Sequence, residues 1–265
     1  MTSKPLPDHA FLQQALATAR AAAEAAESVI RSHYLDQALG TEVKADQTPV
    51  TVADKAAEQV IRDTITGQFP EHGIYGEEFG RSDQADSDFL WLIDPIDGTK
   101  SFVRGYPFFS TQIALMYQQQ LVVGVSNAPV FNEMAWATLG GGAFLNGQAI
   151  LVDPDAAAHS RCVSTGNIQS LIQDNWQRFG ALLTKFSKIR GYGDFYHYHL
   201  LASGKIDLVV ESDVNILDIA ALTLIVQEAG GIMTDIQGKP INLQTRSVMA
   251  GTQATHALGI HTLNE

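Results

Sequence analysis

The sequence holds a single cysteine, Cys162, so no disulfide can close within the chain. That economy fits a reducing cytoplasm, and Cys162 itself reads as a small buried hydrophobe. Cysteine and histidine nowhere fall at zinc-ligand spacing. No apolar run approaches the roughly 18 residues of a membrane span. The opening stretch, Met-Thr-Ser-Lys-Pro-Leu-Pro-Asp, lacks the apolar core of a secretory signal. Basic charge is scarce as well: 17 Lys and Arg stand against 29 Asp and Glu, a net charge of −12. Such a balance argues against nucleic acid as a partner, because binding a phosphate backbone needs a basic face. It does not exclude a small phosphorylated metabolite, since a bound metal supplies local positive charge. Repeats, low-complexity tracts and coiled-coil heptads are missing too. The expectation is a soluble cytoplasmic protein with no membrane and no nucleic-acid partner.

What is present is enough for a substantial core: 265 residues, of which 45% are hydrophobic. The reading is one domain over 1–265, built from two packed halves, 1–152 and 153–265, with the polar, Ala-rich stretch 153–160 as the joint. Asp8 caps a helix that runs to about Tyr34, with Phe11, Leu12, Ala15, Ala19, Ala22, Ala23, Ala26, Val29 and Ile30 at three/four spacing. Thr51 to about Gly67 reads as a second helix, ended by Gly67 and Pro70. Strands are expected over 73–76, 89–93, 111–117, 121–128, 134–139 and 143–145, with 81–88 as a polar loop. Beyond residue 160 helices (168–183, 195–203, 216–229) alternate with strands (188–190, 206–211, 232–235, 247–251), and a helix closes the chain. The class is α+β, with sheets covered by helices.

The most informative stretch is Trp91-Leu92-Ile93-Asp94-Pro95-Ile96-Asp97-Gly98-Thr99. An apolar strand runs into two carboxylates three residues apart, with the Ile96 carbonyl between them. These are hard oxygen ligands, suited to Mg²⁺, Mn²⁺ or Ca²⁺. The N–H groups of Gly98 and Thr99, at a turn into a helix start, can hold an anion. Three more acidic positions lie at element ends: Asp54, Glu77-Glu78 and Asp218. Each also has a plain structural explanation, as a first-turn helix acid or a solvated loop pair.

In combination and in order, Gly76-Glu77-Glu78, the 91–99 string, Leu217-Asp218-Ile219-Ala220-Ala221 and Glu228-Ala229-Gly230-Gly231 resemble the inositol monophosphatase family. The resemblance implies a layered α/β/α/β/α sandwich and Mg²⁺-dependent hydrolysis of small phosphate monoesters, with two or three Mg²⁺ per site, Mn²⁺ as a substitute, and a homodimer. By position it implies that Glu77, Asp94 and the Ile96 carbonyl hold one metal, and that Asp94, Asp97 and Asp218 hold a second. Glu77 with waters would hold a third. Thr99, paired with Asp54, would orient and help deprotonate the attacking water, with Glu77 counted among the catalytic groups. Gly98 and Thr99 would bind the phosphate through their backbone.

Substrate choice falls to two later segments, 191–198 and 211–218. Members acting on inositol phosphates usually carry a small-residue run at the first. Here Gly193-Asp194-Phe195-Tyr196 stands there, and Leu217 replaces a usual Trp before Asp218. This resembles the histidinol-phosphate phosphatase branch. A cationic ammonium and an imidazole would gain from Asp194 and Glu211, with Asp97 and Asp218 lining the same site. The plain alternative for Asp194 is a helix cap. His197 and His199 read as surface or interface residues, and Arg190 as a salt-bridge or subunit contact. The alternatives kept open are an inositol-1-phosphatase of broad specificity and an inactive binding protein on the same scaffold.

Overall fold

The Asp8 carboxylate accepts the N–H of Phe11 at 2.8 Å and starts α1 (His9–Tyr34) as its cap. A computed structural model describes residues 5–34, 41–43, 49–84 and 87–264. Ala15, Ala19, Ala22, Ala23 and Ala26 are all buried along one face of α1. Their small side chains let α2 (Val52–Gln68) pack closely alongside. Between the two helices a short antiparallel ladder joins β1 (Thr41–Val43) to β2 (Pro49–Thr51).

The chain then builds a first sheet from β3 (Gly73–Gly76), β4 (Gly80–Arg81), β5 (Phe89–Asp97), β6 (Ser110–Tyr117), β7 (Gln120–Ala128), β8 (Glu133–Thr138), β9 (Gly142–Leu145) and β10 (Gln148–Ile150). A short helix, α3 (Thr99–Val103), interrupts it after β5. The order is β10-β9-β8-β7-β6-β5-β3-β4, and only the β3–β5 pair is parallel. Asn146 and Gly147, both with positive φ, close the β9–β10 hairpin, as an Asn-Gly pair should.

The second sheet follows residue 160. It contains β11 (Cys162–Thr165), β12 (Lys188–Arg190), β13 (Leu208–Ser212), β14 (Ile232–Thr234) and β15 (Ser247–Gly251), in the order β12-β11-β13-β15-β14. Its helices are α4 (Gln169–Leu183), α5 (Asp194–Ala202), α6 (Ile216–Glu228) and α7 (Gln253–Asn264).

Three cores hold five layers together, the central one lying on both sides of α5 and α6. Ile61 and Ile65 of α2 pack with Trp91 and Ile93 on one face of the first sheet. Leu217, Leu224 and Ile225 of α6 and Phe195 and Leu201 of α5 fill the space between the sheets. Phe179 and Leu182 of α4 and Leu263 of α7 cover the far face of the second. Each such side chain contributes about 1.5–3 kcal/mol by burial. The result is the expected α/β/α/β/α sandwich.

Several local expectations change. β5 does not stop at Ile93 but runs on to Asp97, with a register shift between Asp94 and Asp97, so both acids lie within the strand. Arg81, the expected start of a loop, instead pairs within a short strand with Gly80, and part of the expected 81–88 loop, residues 85–86, lies outside the described residues. β10 and β11 were not foreseen. His197 and His199 are not surface residues: α5 lies between the two sheets, and both are buried, at 0% and 2% exposure. Asp194 is not a side-chain cap; Gly193 takes the N-cap position, with no side-chain cap bond. Arg190 is exposed on β12 and donates to the adjacent Ile189 carbonyl.

Candidate active site

The parallel pairing of β3 with β5 brings Gly76 opposite Ile93, and the next N–H, that of Glu77, donates to the Ile93 carbonyl at 3.1 Å. Glu77 is thereby set beside Asp94. The irregular end of β5 is held from within. Asp94 Oδ1 accepts the Ile96 N–H at 3.0 Å, and the Thr111 hydroxyl donates to the Pro95 carbonyl at 2.8 Å. Asp218 arrives from the other side, in the first turn of α6. Asn215 donates to it through its backbone N–H at 2.9 Å and its side-chain amide at 2.5 Å, a capping box that fixes the carboxylate. Oxygens of Asp94, Asp97 and Asp218 then lie within 4.8 Å of one another.

Glu58 supports this arrangement from behind. It is fully buried on α2, pairs with Arg62 at 2.7 Å, and accepts the N–H of Glu78 at 2.6 Å and of Phe79 at 3.3 Å. Arg62 in turn donates to the Gly80 carbonyl at 2.5 Å. The turn that carries Glu77 is clamped at both ends.

Beyond Asp97 the chain turns sharply. Gly98 takes φ 91°, a left-handed conformation, and a side chain there would strike the Phe108 carbonyl. Gly98 is the N-cap of α3, and no side chain caps its first turn. Thr99 follows. Its hydroxyl stands 3.0 Å from the Ile96 carbonyl and 3.3 Å from Asp54 Oδ1. Asp54 is fully buried in the first turn of α2. A cleft of about 300 Å³ opens over these groups, lined among others by Glu77, Asp94, Asp97, Thr99, Lys100 and Asp218.

Asp194 also lines this cleft, and with Tyr198 and Glu211 it walls a smaller recess further in. Asp194 has φ 46°, left-handed for a residue with a side chain. Glu211 is buried and fully engaged. It accepts from the Asn167 N–H at 3.0 Å and the Tyr198 hydroxyl at 2.8 Å, and meets His197 Nε2 at 3.2 Å.

The electrostatics are those of a crowded anionic pocket. Burial, then the carboxylates of Glu77, Asp97 and Asp218, hold Asp94 well above the usual carboxylate range. Asp97 is raised likewise, by burial and then by Asp218, Asp194, Glu211 and Glu77. Burial pushes Asp218 up to about 7 against the opposing bonds from Asn215. It pushes Asp194 up to about 6, helped by Glu211 and opposed by His197 and Lys100. Like charges packed this closely in a buried site call for a cation of high charge. The donors are all hard oxygens, so a divalent metal of the Mg²⁺ type fits them.

The sequence pattern of the inositol monophosphatase family matches residues 11–265. The protein belongs to that family. It is a phosphoric monoester hydrolase, and the family is metal-dependent. A histidinol-phosphatase of Mycobacterium tuberculosis is 37% identical over 229 residues, covering 84% of this chain and 88% of that one. An inositol monophosphatase of Dictyostelium discoideum is 32% identical over 240 residues, covering 84% and 85%. The solved structure of an inositol monophosphatase from Zymomonas mobilis superposes with a TM-score of 0.84 at 32% identity, over 96% of this chain and 98% of that one.

Sequence reading did not single out Glu58, Lys100, Asn167 or Asn215. Two of these carry a signal. Asn215 stands three residues before Asp218, the spacing of a capping box. Glu58 stands four after Asp54, on the same helix face. Asn167 contributes a backbone N–H, which no side-chain pattern announces. Lys100 is an exposed lysine like any other until the fold turns it to the cleft.

Proposed function

We propose that the protein hydrolyses L-histidinol phosphate to L-histidinol and phosphate, a step of histidine biosynthesis, with Mg²⁺ as cofactor and Mn²⁺ as a substitute. The convergence of Asp94, Asp97 and Asp218 within 4.8 Å, beside the Thr99–Asp54 pair, carries the reaction class. Glu77, Asp94 and the Ile96 carbonyl are the proposed ligands of one metal, and Asp94, Asp97 and Asp218 those of a second, with Glu77 and waters at a third. Such ions supply charge that neutralises phosphoryl oxygens, acidifies water and stabilises the leaving oxygen.

The chain's own groups do the positioning. In this reading Thr99 Oγ1 takes a proton from the attacking water while its own proton passes to Asp54 Oδ1, 3.3 Å away. The N–H groups of Gly98 and Thr99, in the uncapped first turn of α3, hold phosphate oxygens. The organic half of the substrate lies in the cleft beside Asp194, with Glu211 behind it across a recess of only about 10 Å³. An ammonium gains more from Asp194 than a neutral hydroxyl does. Glu211, with its oxygens already engaged, adds negative field and shape to the recess. Asp97 and Asp218 line the same recess. The likeness to a histidinol-phosphatase at 37% identity supports the choice. The second reading is an inositol-1-phosphatase of broad specificity, favoured by the likeness to inositol monophosphatases. A cytoplasmic homodimer belongs to the same proposal.

The test is phosphate release with Mg²⁺ from L-histidinol phosphate, inositol-1-phosphate and a nucleotide 3′-phosphate, side by side. The expectation is that histidinol phosphate has the highest kcat/KM. Faster turnover of inositol-1-phosphate would select the second reading. Asp94→Asn is expected to lose metal binding and activity together, and retained Mg²⁺-dependent turnover would remove Asp94 from the ligand set.

A further inference from the structure

A buried polar row runs away from the candidate metal site through the first sheet. Gln112 is the cross-strand partner of Asp94 on one side and of Ser126 on the other, and Ser110 is the partner of Asp97. Ser110, Gln112 and Ser126 are each at 0% exposure. The Gln112 amide nitrogen donates to Ser110 Oγ at 2.7 Å and to Ser126 Oγ at 3.0 Å. Ser110 donates to Asp97 Oδ2 at 3.4 Å. From the other end, His199 of α5 meets Ser126 Oγ through Nε2 at 2.9 Å and Glu133 Oε2 through Nδ1 at 3.2 Å. The row is therefore continuous from Glu133, at the start of β8, to Asp97.

Each bond in it has only one workable direction. A carboxylate can only accept, so Nδ1 of His199 carries the proton toward Glu133. Nε2 is then bare and must accept, which makes Ser126 the donor. The lone pairs of Ser126 are left for the Gln112 amide, whose NH₂ therefore faces both serines. Ser110 accepts from that same NH₂, so its own hydrogen goes to Asp97. Burial holds His199 below the usual imidazole range, and its hydrogen bond holds the Glu133 carboxyl down, which keeps one neutral and the other ionised near pH 7. Gln112 Oε1 has no partner among the described residues, so the amide is not oriented by its own oxygen. Without the acceptor at His199, the Ser126 hydrogen finds an acceptor within the row only at that oxygen, after an amide rotation that turns the NH₂ away from Ser110.

We propose that His199 and Glu133 are positioning residues for Asp97: their contact sets the direction of the Ser126–Gln112–Ser110 row and thereby orients the Asp97 carboxylate for metal. This rests on the reading of Asp97 as a metal ligand, and the test separates the two. Mg²⁺ and Mn²⁺ binding is measured calorimetrically on the full chain without substrate, with thermal melts to report folding. Asp97→Asn examines the ligand assignment; wild-type metal binding in that variant would overturn it. With Asp97→Asn defective, His199→Leu is expected to weaken metal binding about 10-fold, the usual scale for groups that orient a ligand. His199→Gln, whose Oε1 can still accept from Ser126, is expected to recover most of it. Unchanged binding in His199→Leu, or an equal loss in both variants, would overturn the proposal. Should His199→Leu fail to fold, Ser126→Ala breaks the same row with one atom removed. The same 10-fold loss is expected there, and wild-type affinity would be equally decisive against the row.

Discussion

The carboxylate of Glu58 occupies the place where a Cβ on residue 76 would stand. Glycine at 76 is thus a matter of close approach: it lets a buried acid reach under the strand end and hold the N–H groups of Glu78 and Phe79. Gly76→Ala is expected to push Glu58 aside, leaving it and those N–H groups without their bonds. The cost should be about 2–3 kcal/mol in urea unfolding. Glu77 should lose its fixed position at the same time. The Mg²⁺ concentration for half-maximal activity is then expected to rise at least about 10-fold. Unaltered Mg²⁺ dependence would mean that the 77–80 turn needs no clamp.

How far the sequence already spoke of this site depends on the kind of signal. Asp94 and Asp97 were legible because two acids at the end of an apolar strand are chemically out of place. The five layers were legible only through the family resemblance that the motifs carry, whereas the three/four spacing of α1 located that helix directly. His199 was not legible because two histidines at i and i+2 do not share a helix face, which reads as exposure. Only the docking of α5 between two sheets buries His197, Tyr198 and His199. Ser110, Gln112 and Ser126 were invisible for a related reason. On a strand, buried polar residues look like solvent-facing ones until the layer above is known. The bulge within β5 was likewise hidden, since register is a property of the strand pair and not of either strand.

The Thr99–Asp54 contact makes a prediction about additivity. If the two move one proton as a unit, Thr99→Ala and Asp54→Asn should each lower kcat by about 10²–10³-fold with little change in KM. The double variant should be no worse than either alone. Thr99→Ser keeps the hydroxyl and should stay within about 10-fold of the wild type. Losses that multiply in the double variant would show two independent roles. Steady-state kinetics at saturating Mg²⁺ decides between them.

Asp194 allows a cleaner test of charge than most carboxylates. Its left-handed backbone, φ 46°, suits Asn as well as Asp. Asp194→Asn therefore removes the charge with little strain on the fold. The kcat/KM for histidinol phosphate is expected to fall by about 30–100-fold, the scale of a truncated buried charge pair. For inositol-1-phosphate it should fall far less. An equal loss for both substrates would make Asp194 a structural element of the recess rather than a reader of cations.

The last prediction concerns stability and lies outside the cleft. His72 is buried between Phe69 and Phe89, stacked at 4.6 and 4.5 Å, and its Nδ1 accepts the indole N–H of Trp91 at 3.1 Å. Burial lowers its pKa from 6.5 to about 4. The fold thus favours the neutral ring, and the unfolded chain binds the proton more readily. The stability this contributes is fully present above pH 6.5 and is lost as pH falls toward 4, by on the order of 2–3 kcal/mol in all. His72→Phe cannot take up that proton. It should start less stable at pH 7, because the Trp91 N–H loses its acceptor, by about 1–3 kcal/mol. Its disadvantage should then shrink steadily between pH 6.5 and 4. Other titrating groups are common to both proteins and cancel in the difference. Urea midpoints for the two proteins across that range measure it directly, and parallel curves would show that His72 does not titrate with folding.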